Sequence, residues 1–280
     1  MRPQARLPAL ACDSHFHVFG PADRFPYAPE RSYTPEDAPF EALRALHAGL
    51  GIQRGVVVQP ACHGYDLSVT LDALRRGRGQ YRAVALVPGD ISLAALRELD
   101  EQGVRGVRFN FMPHLSGGPG MEDMLAMGRR IEPLGWHLCV HTNGATLPGM
   151  LQQLRRLPVP YVIDHMGRVD VREGIEGAAF QALLSLARVS DAWVKVSGID
   201  RLAGGRSPYR AGREFVAALL DAMPERTLWG TDWPHPNVAG PVPDDAELLD
   251  IFLDLCPGEA LREQVLVRNP HVLYRFAEPE

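Results

Sequence analysis

The sequence lacks several features that would assign a protein to a specialised class. Its four cysteines are scattered and form no Cys-x-x-Cys pair, which is typical of reduced thiols rather than of a disulfide framework. No run reaches the roughly 18 apolar residues of a membrane span, and the first residues lack the apolar stretch of a signal peptide. We therefore expect a cytoplasmic protein that has no membrane partner.

The charge balance and the absence of linkers exclude further classes of protein. The net charge is −5 and the pI is near 6.1, so nothing favours nucleic acid as a partner. No Gly-x-Gly-x-x-Gly motif, which would favour a dinucleotide-binding sheet, follows the first predicted strand. Because no low-complexity tract divides the chain, we expect a single domain over residues 1–280, with residues 1–9 as a flexible lead-in.

The chain does contain a regular alternation of strand-like and helix-like segments. Eight short apolar runs predict strands, among them "ACDSHFHVF", "RGVVVQP" and "TLWGTDWP", and helical patterns such as "FEALRALHAGLG" follow them. Such alternation is typical of a parallel sheet with helical crossovers. Eight repeats and 46% apolar residues predict an α/β fold, a single (β/α)8 TIM-type barrel. A doubly wound open sheet is the alternative.

Polar residues concentrate where the predicted strands end. Strand one carries His15 and His17, and because alternate residues of a strand share a face, we expect Asp13 to lie beside them. The polar residues near the ends of the other strands are Gln59, Arg108, Asn110, His141, Asp164, His165, Lys195, Ser197 and Asp232. The active site of a (β/α)8 barrel lies at the carboxyl ends of its strands. The sequence therefore predicts one site at the barrel mouth.

Four imidazoles and one carboxylate in this group allow two kinds of chemistry. The five residues are His15, His17, His141, His165 and Asp232. Together they could bind Zn²⁺ or a similar ion, which would activate water or polarise a carbonyl. Without a metal, the histidines would hydrogen-bond a carbonyl oxygen and Asp232 would act as general base. The residues alone leave both open, and we expect Asp164 to support its neighbours rather than react.

Three arginines, Arg108, Arg168 and Arg201, fall on strand ends or in the loops just beyond them. Guanidinium groups bind carboxylates through paired hydrogen bonds. The arginines therefore predict a small substrate that has one or more carboxylates. For each arginine, pairing with an acidic neighbour such as Asp170 or Asp200 is the alternative.

Several motifs, in order, carry a resemblance to a known family. They are "DSHFHVFG", "VVVQPACHG", "GVRFNF", "VIDHMGR", "WGTDWPHPN" and "RNPHVLY". From about Cys12 to Tyr274 the chain resembles the amidohydrolase-related lactonases. The resemblance implies a (β/α)8 barrel and hydrolysis of a carboxylate-bearing lactone of the pyrone-dicarboxylate, muconolactone or sugar-acid type. It implies no required cofactor, with one Zn²⁺ or other divalent ion as the alternative.

The resemblance also implies catalytic roles for four residues and substrate contacts for five. Asp232 matches the family's general base, which activates the hydrolytic water. The other matches are His15, His17 and His165, which polarise the carbonyl; Arg108, Arg168 and Arg201, which hold carboxylates; and Tyr33 and Asn237, which are polar contacts. These nine residues are the predicted site.

Three departures from the family pattern affect this prediction. Ala61 replaces a serine before "CHG", and "MPH" after "RFNF" lacks a further arginine, with His114 nearest. His141 replaces a tyrosine and restores a histidine that metal-dependent relatives use as a ligand. Because the fourth strand contains no lysine, which binuclear relatives carboxylate, we expect at most one metal.

The sequence thus predicts a hydrolase that opens the ring of a small acidic lactone. One alternative is a metal-dependent decarboxylase of the same superfamily, which release of CO₂ would reveal. The other is a non-catalytic binder of carboxylated small molecules, which would tolerate the loss of Asp232. Apolar patches on the outer helices could support a homodimer.

Overall fold

Eight parallel strands form one sheet, in which each strand pairs with the next along the chain. The computed structural model describes residues 6–112, 119–189, 191–238 and 240–277, so residues 1–5 of the predicted lead-in lie outside it. The strands are β1 (Cys12–Phe16), β2 (Arg54–Val58), β3 (Tyr81–Ala85), β4 (Val104–Asn110), β5 (His137–His141), β6 (Tyr161–Ile163), β7 (Ala192–Lys195) and β8 (Thr227–Leu228). This sequential order confirms the predicted (β/α)8 barrel and not the doubly wound sheet.

Backbone hydrogen bonds between β1 and the segment after β8 close the barrel. The His17 N–H donates to the Trp233 carbonyl at 2.8 Å, and the Asp232 N–H donates to the His15 carbonyl at 2.8 Å. Closure of the sheet therefore brings His15 and His17 next to Asp232 and Trp233, which follow them by more than two hundred positions in the sequence. Of these four residues, all but Trp233 belong to the predicted site.

Runs of small and β-branched residues explain the strands. The "RGVVV" segment of β2 is buried at all five positions, as expected for a parallel strand that is covered on both faces. Val56 and Val58 pack in an apolar cluster with residues of β3, β5 and β6, and Tyr274 near the end of the chain joins that cluster. Val57, which alternates with them, packs in the larger core.

Helices cover the outside of the barrel. They are α1 (Phe40–Leu50), α2 (Ser68–Arg76), α3 (Leu93–Glu101), α4 (Met121–Ile131), α5 (Leu147–Leu154), α6 (Ala178–Ser185), α7 (Ile199–Leu202), α8 (Arg210–Ala222), α9 (Asp245–Leu255), α10 (Glu259–Glu263) and α11 (Asn269–Tyr274). Helix α1 stops at Gly51, whose φ of 82° lies in the left-handed region that glycine adopts freely. In the described part of the chain, no helix is long and apolar enough to cross a membrane.

One prediction about β1 is wrong. Asp13 does not share a face with His15 and His17, because the register of β1 against β2 shifts between Asp13 and Phe16. An irregularity of this kind interrupts the alternation of side chains along a strand. Asp13 instead contacts α1, where its Oδ2 lies 3.3 Å from His47 Nε2.

Candidate active site

A cavity of about 310 Å³ lies at the carboxyl ends of the strands. It is lined by His17, Tyr33, Ala61, Arg108, His141, His165, Arg168, Arg201, Asp232, Pro236 and Asn237. Eight of the nine predicted site residues are in this lining, and the ninth, His15, is fully buried beside it with its Nε2 3.6 Å from Asp232 Oδ1. Of the three departures, Ala61 and His141 also line the cavity, whereas His114 lies outside the described residues.

An unusual backbone after β6 directs two predicted residues toward the cavity. Residues Asp164–Arg168 form a short 3-10 segment in which His165 and Met166 have φ of 50° and 53°, and Arg168 also has a φ of 50°. Residues other than glycine seldom adopt this left-handed region, and such conformations concentrate at functional sites. The segment places His165 and Arg168 in the cavity lining, while Asp164 is fully buried.

Asp232 lies in the loop beyond β8 rather than at the end of the strand. Its Oδ1 faces three imidazole Nε2 atoms, those of His17 at 3.4 Å, His15 at 3.6 Å and His165 at 3.8 Å. Its Oδ2 pairs with Arg201, whose Nη2 is 2.7 Å away. Burial opposes ionisation, but the charge of Arg201 holds the pKa of Asp232 well below its usual range. Asp232 is therefore a carboxylate with one oxygen directed at the histidines.

A buried polar clamp fixes the backbone on both sides of Asp232. The Thr231 hydroxyl donates to Asp13 Oδ2 at 2.6 Å, and the Thr231 N–H donates to Asp13 Oδ1 at 3.1 Å. The Trp233 N–H in turn donates to the Thr231 hydroxyl oxygen at 3.0 Å. Because both neighbours are held, Asp232 keeps its left-handed φ of 65°.

Asp164 forms ion pairs with two cationic side chains beneath the cavity. Lys195 Nζ lies 3.0 Å from Asp164 Oδ1, and Arg108 Nε donates to Asp164 Oδ2 at 3.2 Å. Lys195 Nζ also lies 3.1 Å from His15 Nδ1. Burial opposes ionisation of Asp164, but the charges of Lys195 and Arg108 hold its pKa well below the usual range. Asp164 and Lys195 thus support cavity residues from below, as expected for Asp164.

The three predicted arginines differ in how far their charge is already balanced. Arg108 pairs with Asp164 and Arg201 pairs with Asp232, rather than with the sequence neighbours that were the alternative. Among the described residues, no carboxylate lies within ion-pair distance of the third, Arg168. Burial and the nearby Arg201 lower the pKa of Arg168. Arg168 is therefore the cation that gains most from an anionic ligand.

Three histidines in or beside the cavity, His15, His141 and His165, are neutral. Burial and the charge of Lys195 lower the pKa of His15 to about 4. Burial also lowers the pKa of His165, and burial together with Arg108 lowers the pKa of His141. A neutral imidazole has one N–H donor and one lone pair. Each histidine can therefore polarise a carbonyl or accept a proton from water, depending on which ring nitrogen carries hydrogen.

Two groups of side chains have the positions of a metal site. They are His15, Asp164 and His165, and His15, His17 and Asp232; His141, predicted as a further ligand, belongs to neither group within the described residues. The charges are those of an anion site, because both carboxylates already pair with cationic side chains. His15, which both groups share, faces the ammonium of Lys195. A divalent ion would add two positive charges here, so the donor set does not fit it.

Two residues contribute more than their sequence context suggested. Lys195 is the only lysine in the chain, and a charged residue inside the apolar run "AWVKVSG" needs a buried partner. That signal was available from the sequence. For Thr231 no signal was available, because its partner Asp13 lies 218 positions away and on the face of β1 that the pattern did not predict.

An eight-stranded parallel barrel with two histidines at the end of β1 and an aspartate after β8 defines a class of hydrolases. The chain belongs to the amidohydrolase family, which matches residues 12–276. It is 42% identical to a 2-pyrone-4,6-dicarboxylate hydrolase of Comamonas testosteroni, over 98% of this chain and 92% of the relative. It is 40% identical to a 4-sulfomuconolactone hydrolase of Rhizobium radiobacter, over 96% and 91%.

A solved structure is similar over nearly the same span. It is an Acinetobacter baumannii protein, described as a probable 2-pyrone-4,6-dicarboxylic acid hydrolase and crystallised with citric acid bound. The TM-score is 0.84 at 28% identity, covering 95% of this chain and 100% of the other. These findings confirm the family that the motifs indicated.

Proposed function

We propose that this protein hydrolyses the ester bond of a small lactone that carries carboxylate groups. The observation that carries the proposal is the convergence of three imidazole Nε2 atoms on Asp232 Oδ1, at 3.4 to 3.8 Å, in a cavity that three arginines also line. A carboxylate base beside hydrogen-bond donors suits hydrolysis, and guanidinium groups suit a carboxylate. Both features share one cavity, so the substrate bears both an ester and an anionic group.

In the proposed reaction, water attacks the lactone carbonyl while Asp232 Oδ1 takes a proton from it. Histidine N–H groups stabilise the negative charge that develops on the carbonyl oxygen. The ring C–O bond then breaks, and the proton held by Asp232 is available to the leaving ring oxygen. The pair with Arg201 supports this role, because it occupies Oδ2 and keeps Oδ1 directed at the cavity.

The charge around the cavity supports an anionic substrate. Four buried or half-buried cations surround it, Arg108, Arg168, Arg201 and Lys195, against three carboxylates, Asp164, Asp200 and Asp232. The site therefore has an excess of positive charge, although the whole chain carries −5. Tyr33 and Asn237 add polar groups to the lining. The names of the two relatives and the citrate in the related structure support the same class of ligand.

We also infer that the side chains of the protein polarise the lactone carbonyl without a metal ion. The support is electrostatic: each candidate carboxylate ligand is already paired with a cation, and the shared candidate ligand His15 has Lys195 against its Nδ1. One Zn²⁺ per chain is the alternative that the experiment below addresses. A cytoplasmic location and a homodimer stay predictions.

The test is a set of hydrolysis assays on purified protein, with metal content measured in the same samples. The panel contains 2-pyrone-4,6-dicarboxylate, 4-sulfomuconolactone, a sugar-acid lactone and an uncharged lactone, each with and without chelator. We expect kcat/KM for at least one anionic lactone to exceed that for the uncharged lactone by about 100-fold or more, since charge-assisted pairs supply about 1.5–3 kcal/mol each. Chelator should leave that rate unchanged.

Three outcomes would contradict the proposal. Release of CO₂ from a carboxylated ring, without ring opening, would indicate a decarboxylase. Binding of acidic lactones without turnover, retained in Asp232→Asn, would indicate a binder. Loss of activity to chelator, restored by Zn²⁺, would leave the lactonase but overturn the metal-free mechanism.

A further inference from the structure

The single lysine of the chain is buried beneath the candidate active site. Lys195 ends β7, is fully buried, and places its Nζ 3.1 Å from His15 Nδ1 and 3.0 Å from Asp164 Oδ1. Burial opposes its charge, but Asp164 raises the pKa of Lys195, so the group is an ammonium. An ammonium has three N–H donors and no acceptor. The ring nitrogen that it meets must therefore offer a lone pair.

This contact decides which nitrogen of His15 carries the hydrogen. With Nδ1 accepting from Lys195, the proton of the neutral ring is on Nε2, the atom that faces Asp232. Asp164 Oδ1 also lies near Nδ1, at 3.3 Å, and would accept from the opposite tautomer. That oxygen is already engaged by Lys195 at 3.0 Å and by the Cys139 thiol at 3.0 Å. The Nε2–H tautomer thus satisfies His15 Nδ1, Lys195 and the Cys139 thiol, and among the described residues its Nε2–H has no hydrogen-bond acceptor and can donate to a ligand.

His17 has the opposite arrangement. Its Nδ1 lies 2.7 Å from the Val58 carbonyl oxygen, which can only accept, so Nδ1 carries the hydrogen. In the neutral ring, Nε2 then has a lone pair, and it lies 3.4 Å from Asp232 Oδ1. One water molecule that lies to the side of this pair can donate to both atoms, because it has two O–H groups.

We propose that Lys195 is a positioning residue that holds His15 in the tautomer opposite to that of His17, so that the two histidines of "HFH" have different roles. His15 donates its Nε2–H to the lactone carbonyl oxygen, and His17 Nε2 accepts from the attacking water beside Asp232. As the water oxygen bonds to the carbonyl carbon, its proton passes to Asp232 and the carbonyl π electrons move to the oxygen that His15 holds. His15 keeps its proton throughout. The roles rest on the proposed function, but the tautomers do not.

The same contact explains why the donor set does not fit a cation. A metal ligand must present a lone pair, and His15 Nε2 presents a hydrogen instead. Lys195 supplies a fixed positive charge 3.0 Å from Asp164, beneath the carbonyl site. The lysine therefore does two things that a metal ion would do in such a barrel: it balances a buried carboxylate and it orients a histidine.

The tautomers can be measured directly in the wild-type protein. Histidine labelled with nitrogen-15 in the ring gives long-range proton–nitrogen spectra that distinguish the two tautomers, and His15→Gln and His17→Gln assign the signals. We expect His15 to show a protonated Nε2 and a bare Nδ1, and His17 to show the reverse. A protonated Nδ1 on His15, or the same tautomer on both residues, overturns the proposal. This result does not depend on turnover, so it stands or fails separately from the lactonase assignment.

Lys195→Met then tests the positioning role. Methionine is similar in length but cannot donate, so His15 should shift to the Nδ1–H tautomer that faces Asp164. We expect kcat to fall about 100-fold, the cost of one oxyanion donor, with KM changed less than about threefold. Thr227→Val is the control and should keep the wild-type kcat, because it removes a buried hydroxyl on the neighbouring strand that donates to the Met223 carbonyl and leaves Lys195, His15 and Asp164 unchanged. A Lys195→Met protein that keeps both the Nε2–H tautomer and the wild-type kcat would also overturn the proposal, and the wild-type spectrum decides the matter if the variant does not fold.

Discussion

Asp232 combines three properties that together suit a general base. It is buried, its Oδ2 is paired with Arg201, and its Oδ1 faces His15, His17 and His165. The pairing with Arg201 keeps it ionised, because that cation lowers its pKa against the effect of burial. The pair with Arg201 makes Asp232 a weaker base, but it keeps the carboxylate ionised and fixes its direction. The histidines supply the hydrogen-bonding groups around it.

Asp232→Asn should abolish most of the turnover. Asparagine keeps the shape and can still accept from Arg201, but it cannot take a proton from water. We expect kcat to fall by about 10²–10⁴, the usual contribution of a general base, with the far-ultraviolet circular dichroism unchanged. Asp254→Asn, at an exposed carboxylate that pairs with Arg213, is the control and should keep full activity. A variant at Asp232 that retained a tenth or more of the wild-type kcat would contradict the assignment.

We expect Arg168 to strengthen substrate binding without stabilising the fold. No carboxylate among the described residues pairs with it, and Arg201 lies close enough to lower its pKa. For Arg168→Gln we therefore expect KM for an acidic lactone to rise about tenfold or more, since a charged hydrogen bond contributes about 1.5–3 kcal/mol. The melting temperature should be equal to or higher than that of the wild type, because a buried like-charge contact is removed.

The matched control for that experiment is Arg172→Gln. Arg172 is an exposed arginine in the same loop and already pairs with Asp170. It should change neither KM nor the melting temperature. An Arg168→Gln protein that was much less stable and bound substrate normally would indicate a structural role for Arg168 instead.

At the scale of the elements, two local departures from regular geometry build the site. The register shift in β1 turns Asp13 toward α1 and separates it from the cavity histidines. The left-handed segment after β6 brings His165 and Arg168 to the same cavity. Strand periodicity predicts neither departure, because an irregularity in the pleat leaves no trace in an apolar pattern. The sequence could therefore place the residues near the strand ends but not their directions.

The clamp around Asp232 gives a prediction for the loop after β8. Thr231→Val removes the hydroxyl that donates to Asp13 and accepts from the Trp233 N–H. We expect a loss of about 1–3 kcal/mol in the free energy of unfolding, because the Trp233 N–H loses its acceptor and, among the described residues, Asp13 Oδ2 keeps only its contact with His47. We also expect a lower kcat with little change in KM, because the direction of the base is loosened.

Thr227→Val provides the comparison. Its hydroxyl is also buried and donates to the Met223 carbonyl at 2.9 Å, but it lies at the start of β8, away from the cavity. It should reduce stability to a similar extent and leave kcat unchanged. Equal kcat in the two variants would show that the clamp stabilises the fold without positioning Asp232.

At the scale of the whole molecule, repetition made the fold predictable from the sequence. Eight apolar runs separated by helical patterns allow few architectures, and the barrel then dictates that polar strand ends meet at one mouth. The nine predicted residues do meet there. The pairings were not predictable, because Arg108 with Asp164 and Arg201 with Asp232 depend on closure of the barrel. The prediction of one domain over residues 1–280 stays a prediction.

The buried neutral histidines predict how stability depends on pH. Burial and Lys195 lower the pKa of His15 to about 4 and that of His137 to about 3, from 6.5. Between those values and 6.5 the unfolded chain binds more protons than the folded chain. Their contribution to stability is therefore complete above about pH 6.5 and is lost as the pH falls toward 4.

The measurement is the free energy of unfolding in denaturant at pH 7.5, 6 and 5. We expect it to be nearly constant above about pH 6.5 and to fall steadily below it. In His137→Phe, which keeps an aromatic ring against Tyr274, the decline should be shallower. Unfolding free energies that stayed constant down to pH 4.5 would show that the histidines bind protons as readily in the folded protein as in the unfolded chain.

The most direct test of the central claim is the rate of ring opening by protein that has been stripped of metal and analysed for it. The substrate is the anionic lactone that the panel identifies, beginning with 2-pyrone-4,6-dicarboxylate. We predict full turnover at less than about 0.05 metal ions per chain, a level at which one-site occupancy could account for only about one-twentieth of the rate, and no increase on adding Zn²⁺. No ring opening of any anionic lactone, with or without metal, would contradict the account.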